Sequence, residues 1–431
     1  MGKTFREWNP EQRLLLPASV EEFVPAGGLA HFVRDLVQQS LDLSAITDEY
    51  REERGFPPYH PVMMTALLLY AYCQGIYSSR RIAKGCEQRV DFMSVTAMNQ
   101  PDFRTISDFR KRHLAALGKL FVQVLKLCAR AGLVKLGHVA LDGTKLKANA
   151  SRHKAMSYKR MKESEARLAA EVASWLDQAE ATDAAEDEQY GEGRRGDELP
   201  DWVANKQRRL EKLREAKAAL EAEAREKAAE HSGASGGPPP QSPADKAQRN
   251  FTDPDSRIMK VAGGFEQAYN AQAAVDADSQ VIVAQQLTNH GADSQHLPSM
   301  LAQIKTNTGR QAAELSADAG YCSESNLGEV NRRHINAYIA TGRQRHGQAH
   351  ATGERRPPTG PRPAAMWRKL RRGGWRSRYR LRKQTVEPVF GLIKQARGFR
   401  QLLLRGLPNV QGEWALLCTA HNLLKLAAAA A

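Results

Sequence analysis

Residues 264–288 constrain the fold more than any other stretch of this 431-residue chain. Gly264-Phe-Glu-Gln-Ala-Tyr-Asn-Ala-Gln-Ala-Ala-Val-Asp276 and Ser279-Gln-Val-Ile-Val-Ala-Gln-Gln-Leu-Thr288 each read as a strand. Asp276-Ala-Asp-Ser279 between them has the chemistry of a hairpin turn. Such a hairpin calls for more strands beside it. Gly137-His-Val-Ala-Leu-Asp142-Gly reads as a buried strand that presents a carboxylate at or near its end. Ala313-Glu-Leu-Ser-Ala-Asp318-Ala-Gly repeats that pattern, and residues 335–340 read as a further strand. Helical patterns cover 294–306, 324–334, the stretch around Glu387 and a last amphipathic segment from 410 to 426. The order strand, hairpin, helix, strand, helix, strand, helix predicts an α/β (α+β) domain with a mixed sheet and flanking helices. Taken alone, Asp142-Gly143 more often marks a turn between hairpin strands.

The sequence before and between these strands is of another kind. Residues 23–136 read as helical. Pro61-Val-Met-Met-Thr-Ala-Leu-Leu-Leu-Tyr-Ala-Tyr72 has Pro at the first helical position and is apolar enough for a core helix. Ser78-Ser-Arg-Arg opens a short basic helix, and Thr105-Ile-Ser-Asp108 resembles a capping box for a helix that closes at Gly132. Residues 157–231 carry two helical stripes, Met161, Leu168, Val172, Leu176 and Leu210, Leu213, Leu220, which predict an antiparallel helical hairpin. Residues 232–249, rich in Gly, Pro and Ser at their start, read as a flexible linker. Residues 346–372 read as a mobile loop, and the final Ala run as a tail. The expected organisation is a helical domain over 1–136, a core over 137–156 and 250–426, and the helical insertion over 157–231.

Charge narrows the function. The net charge is +15, which points to a polyanionic partner, most simply nucleic acid. The charge is concentrated: 18 Lys and Arg against Glu354 and Glu387 lie between residues 343 and 405. No run of 18 apolar residues predicts a membrane span, and the N-terminus lacks a signal peptide's apolar stretch. Five scattered cysteines with no CxxC pair argue against zinc and disulfides, and fit a reducing cytosol.

Glu387 stands nearly alone in that basic segment. On a helix, Arg380, Lys383, Glu387 and Lys394 share a face at steps of three, four and seven. A lone carboxylate among cations suits a divalent metal held beside a phosphate backbone, and suits equally an amphipathic helix whose Glu pairs with Lys. The predicted order allows Asp142, Asp318 and Glu387 to meet at one sheet edge, where three carboxylates repel unless a cation neutralises them. Hard oxygen ligands select Mg²⁺ or Mn²⁺ over zinc. His290 and His296 read as structural or surface residues.

Three stretches, Leu141-Asp-Gly-Thr-Lys145, Ser316-Ala-Asp-Ala-Gly-Tyr321 and Thr385-Val-Glu-Pro-Val-Phe-Gly-Leu-Ile-Lys394, together with Asn250-Phe-Thr-Asp-Pro-Asp-Ser-Arg-Ile-Met-Lys260, Gly264-Phe-Glu-Gln-Ala-Tyr-Asn-Ala-Gln272 and the N-terminal His60-Pro-Val-Met-Met and Phe103-Arg-Thr-Ile-Ser-Asp-Phe-Arg, resemble the DDE transposases of bacterial insertion sequences. The resemblance runs from about residue 23 to 426. It implies an RNase H-like core behind a helical DNA-binding domain. It also implies that Asp142, Asp318 and Glu387 are the catalytic, metal-holding carboxylates, with Mg²⁺ as cofactor and Mn²⁺ as substitute. The family's Tyr-Arg-Glu-Lys signature falls on Arg380, Lys383, Glu387 and Lys394, so only the last two agree in type. Lys145, Arg380, Lys383, Lys394, Arg397, Arg80 and Arg81 are the expected DNA contacts. The implied partners are double-stranded DNA at element ends and target, and a second copy in a dimer or larger assembly. The implied location is the bacterial cytoplasm, at the nucleoid. An RNase H-fold nuclease without strand transfer and a non-catalytic DNA-binding protein are the rival readings.

Overall fold

A computed structural model describes residues 19–50, 58–151, 154–190, 201–231, 242–261, 264–343, 350–353 and 356–430. The helical half comes first: α1 (Leu29–Ser40), α2 (Ser44–Thr47), α3 (Pro61–Cys73), α4 (Ser79–Gln88), α5 (Val90–Thr96), α6 (Phe103–Arg112) and α7 (Leu114–Arg130). Nearly every residue of α3 from Met64 to Cys73 is buried, as its apolar composition demands. The cap of α6 differs from expectation. Asp102 takes that role, its carboxylate accepting from the Arg104 N–H at 2.8 Å, so the helix begins before Thr105. The chain also breaks at His113 and restarts as α7, making two helices where one was expected.

Strand β1 (His138–Lys147) follows, then β2 (Ala155–Ser157), α8 (Tyr158–Tyr190), α9 (Asp201–His231) and β3 (Gln248–Asn250). α8 and α9 pack on a core of their own, including Met161, Leu168, Leu210 and Leu213. Their side-chain pairs run in opposite directions: Tyr158 with Glu221, Glu165 with Lys217, Glu171 with Lys206. The helices are therefore antiparallel. β3 pairs with β2, so residues 248–249 are strand and not linker; residues 232–241 lie outside the described residues.

The remaining elements build the sheet: β4 (Arg257–Val261), β5 (Gly264–Asp276), β6 (Ile282–Thr288), α10 (Leu297–Thr308), β7 (Glu314–Ala317), α11 (Glu324–Arg332), β8 (Asn336–Ile339), α12 (Pro361–Gly373), α13 (Leu381–Gly391) and α14 (Leu407–Ala430). β5 pairs antiparallel with β1 on one side and with β4 and β6 on the other. β7 and β8 add in parallel beyond β1. The strand order is thus β6-β5-β1-β7-β8, with β1 at the centre. β1 runs on for five residues past Asp142, so Asp142-Gly143 is mid-strand and no hairpin turn.

Residues 346–372 were expected as loop, but Pro361–Gly373 forms α12. Its Pro at the first turn starts the helix, and Met366 and Leu370 anchor it. α14 was expected to be amphipathic and to end in a tail. It is instead helical to Ala430 and buried on most sides from Val410 to Leu423 except Gln411 and Gly412. It lies against α7, α3 and β6, which joins the two halves in one continuous core. Asn422 pins it to the sheet, accepting from the Ile282 N–H and donating to the Ile282 carbonyl, both at 2.8 Å. No helix among the described residues is long and apolar enough to cross a membrane.

Candidate active site

The register of the sheet brings the two strand-borne acids together. Leu141 stands opposite Ala317 across the parallel β1–β7 pair, so the next residues, Asp142 and Asp318, are neighbours across one strand spacing of about 5 Å. Asp142 and Thr144 project to one face of β1, and α13 lies on that face. The Arg382 guanidinium on α13 bridges: Nη2 donates to Asp142 Oδ2 at 2.7 Å and Nη1 to Glu387 Oε1 at 2.8 Å. The guanidinium thus bridges Asp142 and Glu387, and Asp318, beside Asp142 across the sheet, lies within its electrostatic reach.

The electrostatics follow from this crowding. Burial, with Asp318 and Asp293 adding to it, pushes the Asp142 carboxyl up to about 7 against the pull of Arg382 and the Gly143 N–H. Asp318 is raised too, by burial first and by Asp293, while Arg382 and the Gly320 N–H work the other way. Its Oδ1 accepts from that N–H at 2.9 Å. Among the described residues, no three His, Cys, Asp or Glu side chains stand close enough to chelate a metal as placed. A guanidinium occupies the space between two of the acids.

α13 contains Pro388 one residue after Glu387. Proline cannot donate to the carbonyl four residues back, which is that of Gln384. The Gln280 side chain, from the β5–β6 turn, donates to that carbonyl at 3.0 Å instead. A π-helical turn over Leu392–Ala396 then changes the phase of the helix. Lys394 does not share the surroundings of Arg380, in a 3₁₀ turn ahead of α13, or of Lys383, with which it was expected to share a face. Lys394 Nζ turns onto β1, to Thr144 Oγ1 at 2.5 Å and the Lys145 carbonyl at 2.8 Å. Burial, with Arg400 and Lys145 nearby, lowers its pKa. Arg380 and Lys383 are exposed and line a cavity with Trp375 and His350.

The opposite face of β1 carries a second network. Asp293 Oδ1 accepts from Asn270 Nδ2 at 2.7 Å, Gln272 Nε2 at 2.9 Å and Lys145 Nζ at 3.2 Å. Tyr321 donates to Gln272 Oε1 behind it. This network explains Gly143. A Cβ there would sit 2.3 Å from Gln272 Nε2 and 2.8 Å from Asp293 Oδ1.

Other expected contacts are more scattered. Arg80 and Arg81 are exposed on α4, and Arg80 stacks on Phe103 at 4.8 Å. The Arg397 guanidinium faces inward: Nη2 lies 3.3 Å from His421 Nδ1, and Nη1 is buried with no partner among the described residues. Arg110, another basic residue of the helical domain, is buried and donates to the Tyr77 carbonyl at 2.8 Å. His296 is buried and bonded to Thr288 at 3.2 Å, a structural role. Sequence reasoning passed over Arg382, five residues before Glu387 and outside the usual three-or-four helical spacing, and over Asp293, which sits in no motif.

Two family matches decide the identity. Residues 18–112 match the transposase domain (DUF772), and residues 238–423 match the transposase DDE domain. The chain belongs to the DDE transposases of insertion-sequence type. No curated protein and no solved structure matches it. The transposase is a metal-dependent polynucleotidyl transferase that acts on DNA by strand cleavage and strand transfer. Its mixed sheet with flanking helices is RNase H-like, as the DDE domain implies. The DDE match contains Asp318 and Glu387; Asp142 lies before it, in the sheet's central strand.

Proposed function

We propose that Asp142, Asp318 and Glu387 are the metal-holding carboxylates of the transposase, with Mg²⁺ as the ion and Mn²⁺ as its substitute. The observation that carries this reading is geometric: Arg382 bridges Asp142 and Glu387, and the register of β1 against β7 sets Asp318 beside Asp142. The donor set fits the metal. All three are hard carboxylate oxygens, and burial leaves Asp142 short of positive charge even with Arg382 beside it. When bound, the metal supplies activation of the attacking oxygen and stabilisation of the leaving one.

The chain's own residues do the rest. Glu387 is carried by a helix that Lys394 ties to β1 and Gln280 supports at its proline. Arg380 and Lys383, on the stretch that leads to Glu387, clamp DNA phosphates, Lys145 joins them once it leaves Asp293, and Arg80 and Arg81 on the helical domain contact the element's terminal repeat. Water attacks a phosphodiester at the element end, the phosphorus–O3′ bond breaks, and a free 3′-hydroxyl is left. That hydroxyl then attacks a target phosphodiester in line and displaces its 3′-oxygen. No covalent protein–DNA bond is formed. The functional units are a DNA-binding helical domain, the catalytic core and the α8–α9 hairpin, which shapes the DNA channel or pairs subunits. Two element ends joined together call for a dimer or larger assembly on double-stranded DNA, at the nucleoid.

The test uses purified protein, Mg²⁺ or Mn²⁺, and DNA bearing the sequences that flank the gene, with Asp142→Ala alongside. Metal-dependent 3′-hydroxyl ends that become joined to target DNA, and that the variant fails to make, are expected. Equal cleavage by Asp142→Ala would remove Asp142 from the site.

A further inference from the structure

Arg382 is seated in a way that a simple structural ion pair does not need. Its fork is divided between two carboxylates on different elements, Asp142 on β1 at 2.7 Å and Glu387 on α13 at 2.8 Å. A guanidinium most often meets one carboxylate with two parallel bonds. The third donor, Nε, is buried and has no partner among the described residues, an unmade hydrogen bond that makes the seat costlier. The side chain is 12% exposed, whereas that of Glu387 is 47% exposed, so one side of the bridge opens to solvent. The cation thus lies in the one place where Asp142 and Glu387 are brought together.

We propose that Arg382 is a positioning residue that holds Asp142 and Glu387 together in the metal-free protein and competes with the divalent ion for them. The proposal rests on the reading of these two acids as metal-holding groups. The competition is physical. A guanidinium and a divalent cation cannot take the same inward lone pairs at the same time, and at contact distance in a half-buried site their repulsion is large. Without the guanidinium the acids would repel each other and splay, so the bridge keeps them assembled until the ion arrives. Arg382 is long, charged at every working pH and planar, so once released its fork suits a DNA phosphate.

The experiment measures Mn²⁺ binding to the full chain without DNA, by titration calorimetry and by the electron paramagnetic resonance signal of free Mn²⁺. Arg382→Gln is expected to bind Mn²⁺ at least about tenfold more tightly than the wild type, since it removes a competing charge. Arg382→Lys keeps the charge and loses the fork, and is expected to fall between. Arg332→Gln on α11, which removes the same charge from an exposed pair with Glu329, is expected to leave affinity unchanged. Asp142→Asn reports on the site itself and is expected to lose binding. If Asp142→Asn loses binding while Arg382→Gln and Arg382→Lys bind no more tightly than the wild type, the competition is wrong and the site stands. An equal gain in Arg332→Gln would also overturn it, as general charge. If Asp142→Asn binds as the wild type does, the site itself is wrong. Melting curves of each variant establish that it is folded, and the Lys variant serves if the Gln variant is not.

Discussion

Asp142 and Glu413 are both buried carboxylates pushed up to about 7 by burial, yet they are held differently. Glu413, on α14, accepts from backbone: the Leu403 N–H at 3.0 Å and the Leu404 N–H at 3.1 Å. Those donors shape the turn whose next neighbour, Leu402, donates to the Lys147 carbonyl at the end of β1. They cannot leave without undoing the turn. Asp142 has one backbone donor, Gly143, and otherwise depends on the side chain of Arg382. A side-chain partner can rotate away. A raised pKa therefore marks burial in both places, and the mobility of the partner is what separates a structural carboxylate from one that can exchange its cation.

The largest expected effect tests that separation directly by neutralising an acid of each kind. Glu387→Gln is expected to lower strand cleavage by about a thousandfold or more, as removal of a group acting at the reacting atoms does. DNA binding should survive, because Glu387 makes no favourable contact with phosphate. Glu413→Gln is isosteric and its amide oxygen still accepts from Leu403 and Leu404, so cleavage should stay within about threefold of wild type. Cleavage kinetics on labelled element-end DNA, with a filter-binding assay beside them, measure both. A folded Glu413→Gln protein that cleaves as poorly as Glu387→Gln would place Glu413 in the chemistry and dissolve the contrast.

The second effect is on stability and runs with pH. Glu413 sits at about 7 in the folded protein against an ordinary 4.5. The folded state therefore holds its proton over a range where the unfolded state has lost it. Its contribution to stability is complete below the ordinary value and is lost as pH rises through about 7. The carboxylate is almost wholly buried, so the full loss amounts to about 3 kcal/mol. Gln does not titrate. Relative to Glu413→Gln, wild type should thus lose stability by about 2 to 3 kcal/mol between about pH 5 and pH 8. Urea unfolding of the two proteins at both pH values measures the difference. A constant difference would mean that Glu413 stays ionised throughout, with the backbone donors outweighing burial.

How far the sequence exposes this design depends on which interactions are local. The hairpin, the short strands before Asp142 and Asp318, and the two stripes of the helical insertion follow from periodicities that each segment carries by itself. The three acids could be named because they stand beside short motifs. Their mutual arrangement follows from one register, Leu141 against Ala317, that depends on the whole sheet. Arg382 and Asp293 gain their meaning only from partners about 240 and 20 residues away in the chain, Asp142 and Gln272. The same holds for Gly143, which reads as a turn from its neighbours and is explained by Gln272 and Asp293 packing against it. α14 misled for a related reason: a helix buried on most sides has little amphipathic signal to read.

The smallest effect applies the same contrast to cations. Lys383 is exposed one helical turn before Glu387, and its charge is presented to solvent. Arg397 is turned inward, against His421, with Nη1 buried. Both were expected to touch DNA, and only the first can do so without repacking. Lys383→Ala should weaken binding to element-end DNA a few-fold and shrink the slope of log affinity against log salt by about 1, one counterion released fewer. Arg397→Ala should leave that slope unchanged and lower the melting temperature instead, because it empties buried space against His421 of α14 and near Cys73 and Tyr77. Fluorescence anisotropy across a salt series, with melting curves for the same proteins, measures both. If Arg397→Ala flattens the slope as Lys383→Ala does, the guanidinium turns outward on DNA, and inward placement in the free protein is then a second exchangeable seat like that of Arg382.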